Sequence, residues 1–193
     1  MISHDTIEYW KSQNIRLGQI NGDDLHHIFD RFTTTFLLYN RLYNEVPAIL
    51  IAQGKNIESK DLNNDSKKAI DFPLQFLTGD LIMNNLTDRK LDGAFDVLAF
   101  FIDSRIYNIC FNRTGIHDPA ADINLSGKLH SQNVEEKIKG LLTYIYKVRN
   151  NVVHAKKHFN EDQRLLLETL TNILNIINQL LFDKMISLLA KPK

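Results

Sequence analysis

Apolar residues recur at three- and four-residue spacing along most of the chain, a pattern typical of amphipathic helices. The clearest stripe predicts one long helix over residues 23–44, and we expect Pro47 to stop or bend it. Because aromatic side chains bury large areas, we expect this face to lie in the core rather than to stack on bases. Its members are Leu25, Ile28, Phe29, Phe32, Phe36, Tyr39, Tyr43 and Val46.

Weaker helical patterns occupy the middle of the chain. They begin near Asp65, near Asp71 and at residues 87–88, and the third continues to about Phe111. Residues 112–131 contain two glycines and a proline and show no periodicity. We therefore expect a long loop there, and a loop of that length in a compact domain usually has a function or is mobile.

Two long helices are predicted at the end of the chain. Asn133 is placed to cap the first, and residues 160–163 have the form of a capping box before the second. The last helix is apolar on more than one face, which favours a central position or a dimer contact. The pattern as a whole predicts an all-α bundle forming a single domain over residues 1–193, with about five substantial helices.

Composition narrows the class of protein. The chain has 193 residues, 44% of them hydrophobic, which suits one globular domain. Equal numbers of basic and acidic residues, 23 each, exclude a strongly basic protein that coats nucleic acid, although not a local basic patch. The single cysteine, Cys110, excludes a disulfide framework and a thiolate metal cluster. With no signal-like start and no long uncharged apolar stretch, we expect a cytoplasmic protein without a membrane partner.

The most distinctive polar segment is residues 144–158, at the end of the penultimate predicted helix. Asn150 and His154 are four residues apart and share a helix face, and Arg149 is offset from His154 by about 140°. Residues 137–158 hold six lysines or arginines and no acid. A near-neutral imidazole can move protons, an arginine fork can hold a phosphate, and an amide can orient either group. Those residue types suffice for cleavage of RNA without a metal.

Two plainer explanations apply to the same residues. Cations gather near the C-termini of helices because the helix dipole favours them there. His154 and His158 have a spacing that suits metal chelation, but nothing in the sequence supplies an obvious third ligand. We therefore expect no metal and no cofactor.

The segment Arg149-Asn150-Asn151-Val152-Val153-His154 resembles the Arg-x4–6-His signature of the HEPN superfamily (higher eukaryotes and prokaryotes nucleotide-binding domains). The polar residue after the arginine matches, as do the penultimate core helix and the long amphipathic helix that follows. Residues 29–43 are similar to the first helix of many bacterial members, where an aromatic residue is followed by Asn, two residues and a second aromatic. The resemblance covers residues 23–46 and 133–190.

This resemblance implies a bundle of four or five helices, often a homodimer. It also implies a metal-independent endoribonuclease acting on RNA, commonly a toxin or phage-defence effector with a separate antitoxin or regulatory protein. By position, Arg149 would clamp the phosphate, His154 would be the acid–base residue and Asn150 the polar helper. Lys147, Lys156 and Lys157 would contribute to substrate binding.

Several alternatives stay open. Asn40 would either help to bind substrate or, as buried amides in bundles more often do, cross-link helices by hydrogen bonds. The main alternative for the protein is a non-catalytic module that binds RNA, a nucleotide or a protein partner through the same basic residues. A third is a dimerisation scaffold with a vestigial motif.

Overall fold

The structure is a computed structural model that describes residues 2–153 and 161–189. The described residues form helices, with no strand beyond one isolated bridge between Phe111 and His117, so the all-α prediction is confirmed. The helices are α1 (His4–Gln19), α2 (Leu25–Ala52), α3 (Ser59–Leu62), α4 (Asp65–Ala69), α5 (Asp71–Leu77), α6 (Gly79–Asp88), α7 (Ala94–Asp103), α8 (Pro119–Leu129), α9 (Val134–Val153) and α10 (Arg164–Leu189), with a 3₁₀ turn at Glu161–Gln163.

The chain divides into two compact units, residues 1–77 with 160–193, and residues 78–159. In the first unit, α2 packs along α10, and Phe32, Phe36 and Tyr39 of the aromatic face that the sequence predicts for the core are buried. One buried amide links the two helices, because Asn178 Nδ2 donates to the Thr35 carbonyl at 2.9 Å. The prediction of a single domain over the whole chain stays a prediction.

Helix α1 was not predicted, and hydrogen bonds hold its start to α2. Glu45 on α2 accepts hydrogen bonds from the Ser3 hydroxyl at 2.9 Å and the Thr6 hydroxyl at 2.5 Å. Ser3 also caps the helix by accepting from the Thr6 backbone N–H. Its apolar residues Ile7, Trp10 and Leu17 are few and only partly buried, so the periodic signal of this helix is weaker than that of α2.

Pro47 does not end α2, contrary to one of the two outcomes expected for it. The helix continues to Ala52 with Pro47 inside it and buried. Proline removes one backbone hydrogen bond and disfavours a helix interior. The buried side chains of Val46, Ile49 and Leu50 continue the core face past it, and this packing outweighs the local cost.

In the second unit, α8 packs against both α7 and α9, and α6 packs against α9. Two glycines allow neighbouring helices of this unit to approach each other closely. A Cβ atom added at Gly140 would lie 2.9 Å from Lys128 Cβ, and one at Gly79 would lie 3.1 Å from the Glu135 Cα. The Gly79 backbone N–H also donates to Glu135 Oε1 at 2.9 Å. Small residues at these crossings therefore set the spacing between the helices of this unit.

Three boundaries in this unit differ from the predictions. The helical pattern expected to begin near Asp71 is interrupted at Thr78, whose φ is +75°. The helix expected to begin at residues 87–88 and to continue to about Phe111 begins at Ala94 and ends at Asp103. The predicted loop over residues 112–131 contains α8. Its signal was local: Asp118 caps the helix by accepting from the Ala121 N–H, and Pro119 occupies the first turn.

The ends of the last two helices follow the sequence in part. Asn133 Oδ1 accepts from the Glu136 N–H at 3.1 Å, so the predicted cap of α9 is confirmed. The predicted capping box begins at Asn160, which lies outside the described residues.

Within the described residues, α10 is long and apolar enough to cross a membrane by length and composition, and 56% of its most apolar window is buried here. A buried core helix meets the same criteria.

Candidate functional site

Three of the residues predicted to act on the substrate or bind it lie towards the end of α9. Arg149, Asn150 and Lys147 are half-buried on that helix. His154, Lys156 and Lys157 lie outside the described residues. The structure therefore brings together Arg149 and Asn150 and describes two of the three proposed catalytic residues.

A direct hydrogen bond links Arg149 to Asn150. The Arg149 Nη1 donates to the Asn150 Oδ1 at 2.9 Å. Neighbouring residues on a helix point about 100° apart, so the arginine side chain must curve round the helix surface to make this contact. The bond fixes one edge of the guanidinium, which is a planar, always-charged group suited to phosphate oxygens.

Lys147 and Asn151 lie on a different face of α9. They are four residues apart, and Arg149 lies about 160° round an ideal helix from both. Asn151 Nδ2 donates to the Ile109 carbonyl at 3.0 Å, which fastens the segment after α7 to this helix. Burial raises the pKa of the Cys110 thiol, which lies in that segment, and the positive charge of Lys147 lowers it by a smaller amount. The role of Lys147 in binding substrate stays a prediction.

Asn40 lies on α2, in the first unit, and is half-buried. Its Oδ1 accepts from Asn44 Nδ2 at 2.8 Å, one turn further along the same helix. The cross-linking role expected of a buried amide belongs instead to Asn178, which is fully buried and bonds from α10 to α2. The sequence signal for Asn178 was a polar residue within an apolar helix face.

Sequence reasoning missed a second polar centre in the same unit as Arg149. Asp122, on the first turn of α8, is only 5% exposed. Its carboxylate accepts from the Cys110 N–H at 2.7 Å, from the Ile109 N–H at 3.2 Å and from His117 Nε2 at 2.7 Å. We call Asp122, His117 and the two N–H donors the Asp122 cluster. It anchors the connection between α7 and α8, because each buried donor is satisfied by one carboxylate.

The Asp122 cluster also sets the chemistry of its neighbours. Burial, followed by the hydrogen bond and the negative charge of Asp122, raises the pKa of the Cys110 thiol to about 12. Burial, followed by the charge of Asp122, likewise holds the pKa of Tyr144 well above its usual value. Neither group ionises near neutral pH, so Cys110 is not an activated nucleophile here.

No protein-family model, no curated protein and no solved structure matches this chain. Within residues 2–153 and 161–189 there is also no group of three or more histidine, cysteine, aspartate or glutamate side chains placed to hold a metal ion. The histidine pair at 154 and 158 lies outside those ranges.

Proposed function

We propose that this chain is a metal-independent endoribonuclease of the HEPN type, with Arg149, Asn150 and His154 acting on one phosphodiester. The observation that carries the proposal is the 2.9 Å hydrogen bond that fixes the Arg149 guanidinium against Asn150 near the end of α9. A fork that is already oriented loses less side-chain freedom when it binds phosphate. The four-residue spacing between Asn150 and His154 in the sequence predicts that the two would share a face of a continuous helix.

The reaction needs only the side chains of this set. His154 takes the proton of a ribose 2′-hydroxyl, and the 2′-oxygen attacks the adjacent phosphorus. Arg149 stabilises the additional negative charge on the phosphorane. The bond from phosphorus to the 5′-oxygen then breaks, and the imidazolium returns its proton to that oxygen. The products are a 2′,3′-cyclic phosphate and a 5′-hydroxyl end.

The proposal includes a homodimer that uses α10, and a toxin or phage-defence role held in check by a separate antitoxin chain. The exposed apolar residues Leu165 and Leu189, 54% and 39% exposed, lie near the two ends of α10. Light scattering after size exclusion is the test of the dimer. A mass near twice 22.3 kDa supports it, and a mass near 22.3 kDa at micromolar concentration contradicts it.

Cleavage of total RNA in the presence of a chelator tests the reaction. We expect the full chain to cleave, and His154→Ala to be slower by roughly 100-fold or more, the range for loss of a general acid–base group. Arg149→Lys keeps the charge and loses the fork, and we expect a reduction of about tenfold or more. Lys139→Ala, an exposed cation earlier on α9, is the matched control and is expected to stay active.

Two outcomes separate the alternatives. RNA retention without cleavage, lost in Arg149→Ala, would favour the non-catalytic binding module over the enzyme. Equal residual cleavage by the full chain and by His154→Ala would end the catalytic proposal, because a contaminating nuclease is then the simplest source.

A further inference from the structure

A cavity of about 500 Å³ opens in the second unit, between the end of α7 and the first turn of α8. Its size lies in the range of small-molecule sites. Its walls include Ile102, which is buried at the end of α7, and Ile123, which is 72% exposed on α8. Together with Pro119, these side chains give the cavity apolar walls against which a flat, weakly polar ring can pack.

The Asp122 cluster forms one side of this cavity, and its carboxylate offers a ligand no free lone pair. Asp122 and His117 both line it, yet the carboxylate already accepts from three donors and His117 is bonded to it at 2.7 Å. These two side chains therefore form a fixed polar wall. The polar groups that remain for a ligand come from the last residue of α7 and from the short segment after it.

The Asp103 carboxylate can accept more hydrogen bonds than it accepts within the protein. Its Oδ1 accepts from Ser126 Oγ at 2.6 Å and its Oδ2 accepts from His130 Nε2 at 3.3 Å, while the side chain is still 52% exposed. A carboxylate oxygen can accept about two hydrogen bonds, so each oxygen has room for one more donor. Two adjacent acceptor positions suit a ligand edge that carries two adjacent N–H groups.

Asn108 and Arg105 complete the polar edge. Both line the cavity, and neither side chain makes a hydrogen bond or ion pair with another described residue. Asn108 is half-buried and offers an amide donor, and Arg105 is exposed and offers a cation. The cavity thus places an amide, a carboxylate and a guanidinium around an apolar gap.

The backbone of Arg105 has a positive φ, so its side chain can be replaced by glycine without loss of a preferred conformation. Its φ is +55°, at a position where the Ile106 N–H bonds to the Phe101 carbonyl and the Arg105 N–H to the Ile102 carbonyl. This is the helix-terminating arrangement in which glycine is the usual residue, since a side chain is strained there. Strain of this kind at a cavity is a reason to look for function. Lys90, with φ of +59°, ends α6 in the same way and does not line the cavity.

We propose that this cavity binds a guanine nucleotide. The base lies between Ile102 and Ile123, Asp103 accepts from the N1–H and the exocyclic amino group, Asn108 donates to O6, and Arg105 binds the phosphate. Guanine carries the two neighbouring donors that Asp103 can accept, next to an acceptor. Adenine presents an unprotonated N1 there, which would face the carboxylate and repel it.

The experiment is calorimetric titration of the full-length His154→Ala chain with GMP, IMP and AMP. Removing the proposed acid–base residue keeps RNA cleavage out of the measurement, so this result is independent of the proposed nuclease. We expect GMP to bind at least tenfold more tightly than IMP or AMP, since a hydrogen bond to a carboxylate is worth at least that factor. No binding of GMP at millimolar concentration, or equal binding of AMP, overturns the proposal.

Three variants separate a ligand role from a folding role. Arg105→Gly replaces a strained residue with the one that the backbone prefers, so the fold is kept; we expect at least tenfold weaker GMP binding and unchanged guanosine binding. Lys90→Gly makes the same change at the matched position on α6 and is expected to leave both unchanged. Asp103→Asn is expected to remove the preference for GMP over IMP. Unchanged GMP affinity in both Arg105→Gly and Asp103→Asn would refute the assignment.

Discussion

Removal of the Asp122 carboxylate is expected to loosen the whole connection between α7 and α8. In Asp122→Ala, the buried N–H groups of Ile109 and Cys110 lose their acceptor, and each stranded donor costs about 1–3 kcal/mol. Two stranded donors at that cost give about 2–6 kcal/mol, and the middle of this range, about 3–5 kcal/mol, is the expected loss in the stability of the second unit, which is large for one substitution. His117 loses its partner at 2.7 Å as well.

Asp122→Asn has a much smaller expected cost, because its single amide oxygen can keep both backbone donors. The amide nitrogen then faces His117, whose ring can present an unprotonated nitrogen to it. Loss of the charge weakens these bonds, and we expect a cost of about 1–2 kcal/mol. Asp88→Ala, at an exposed carboxylate at the end of α6, is the control and is expected to stay within about 0.5 kcal/mol.

Backbone hydrogen exchange at Ile109 and Cys110 is the appropriate measurement. The single tryptophan, Trp10, stacks on Phe182 at 4.2 Å in the first unit, so its fluorescence reports on the other half of the chain. At about 1.4 kcal/mol for each factor of ten, Asp122→Ala should lower protection of these amides by roughly 100-fold or more. Protection within threefold of the parent protein would show that the carboxylate does not hold this segment.

Three further predictions concern single groups. The Cys110 thiol should resist Ellman's reagent at pH 8 until the protein is unfolded. The thiol pKa is about 12 in the folded protein and near 8.5 in the unfolded chain, so the contribution of the thiol to stability is present below about pH 8.5 and is lost as the pH rises towards 12. Rapid labelling of the folded protein would contradict the raised pKa. The buried Tyr144 hydroxyl has no hydrogen-bond partner among the described residues. Tyr144→Phe should therefore leave the free energy of unfolding, measured by urea titration, unchanged or raise it by about 1 kcal/mol. A loss above about 1 kcal/mol would show that the hydroxyl stabilises the fold. Arg105→Gly and Lys90→Gly should each raise stability by about 0.5–1 kcal/mol in thermal melts, because both residues have positive φ. A lower melting temperature in either variant would show that the side chain is needed for the fold.

The fold was predictable wherever the core face has helical spacing. The buried face of α2 and the cap at Asn133 follow directly from the sequence. Of the two outcomes expected at Pro47, the end of the helix there was wrong, because tertiary packing overrides a local preference. The loop expected over residues 112–131 was wrong where α8 forms, because the spacing of glycine and proline suggested a loop. For α8 the local signal was present, since Asp118 followed by Pro119 is a helix start.

The candidate sites were predictable to different degrees. Arg149 and Asn150 are neighbours in sequence, so their pairing needs only one helix. The Asp122 cluster and the cavity beside it join residues 102–123 through a turn, a loop and a helix start. No periodic pattern indicates that Asp103, Asn108 and Asp122 face one space, because that arrangement exists only after α7 and α8 pack together.

The most direct test of the proposed activity is the chemistry of the RNA ends formed in the presence of a chelator. The account predicts 2′,3′-cyclic phosphate and 5′-hydroxyl ends from the full chain, with the yield falling by roughly 100-fold or more in His154→Ala. Ends carrying a 5′-phosphate, or cyclic ends in equal yield from both proteins, would contradict attack by the ribose hydroxyl at the site of Arg149 and His154.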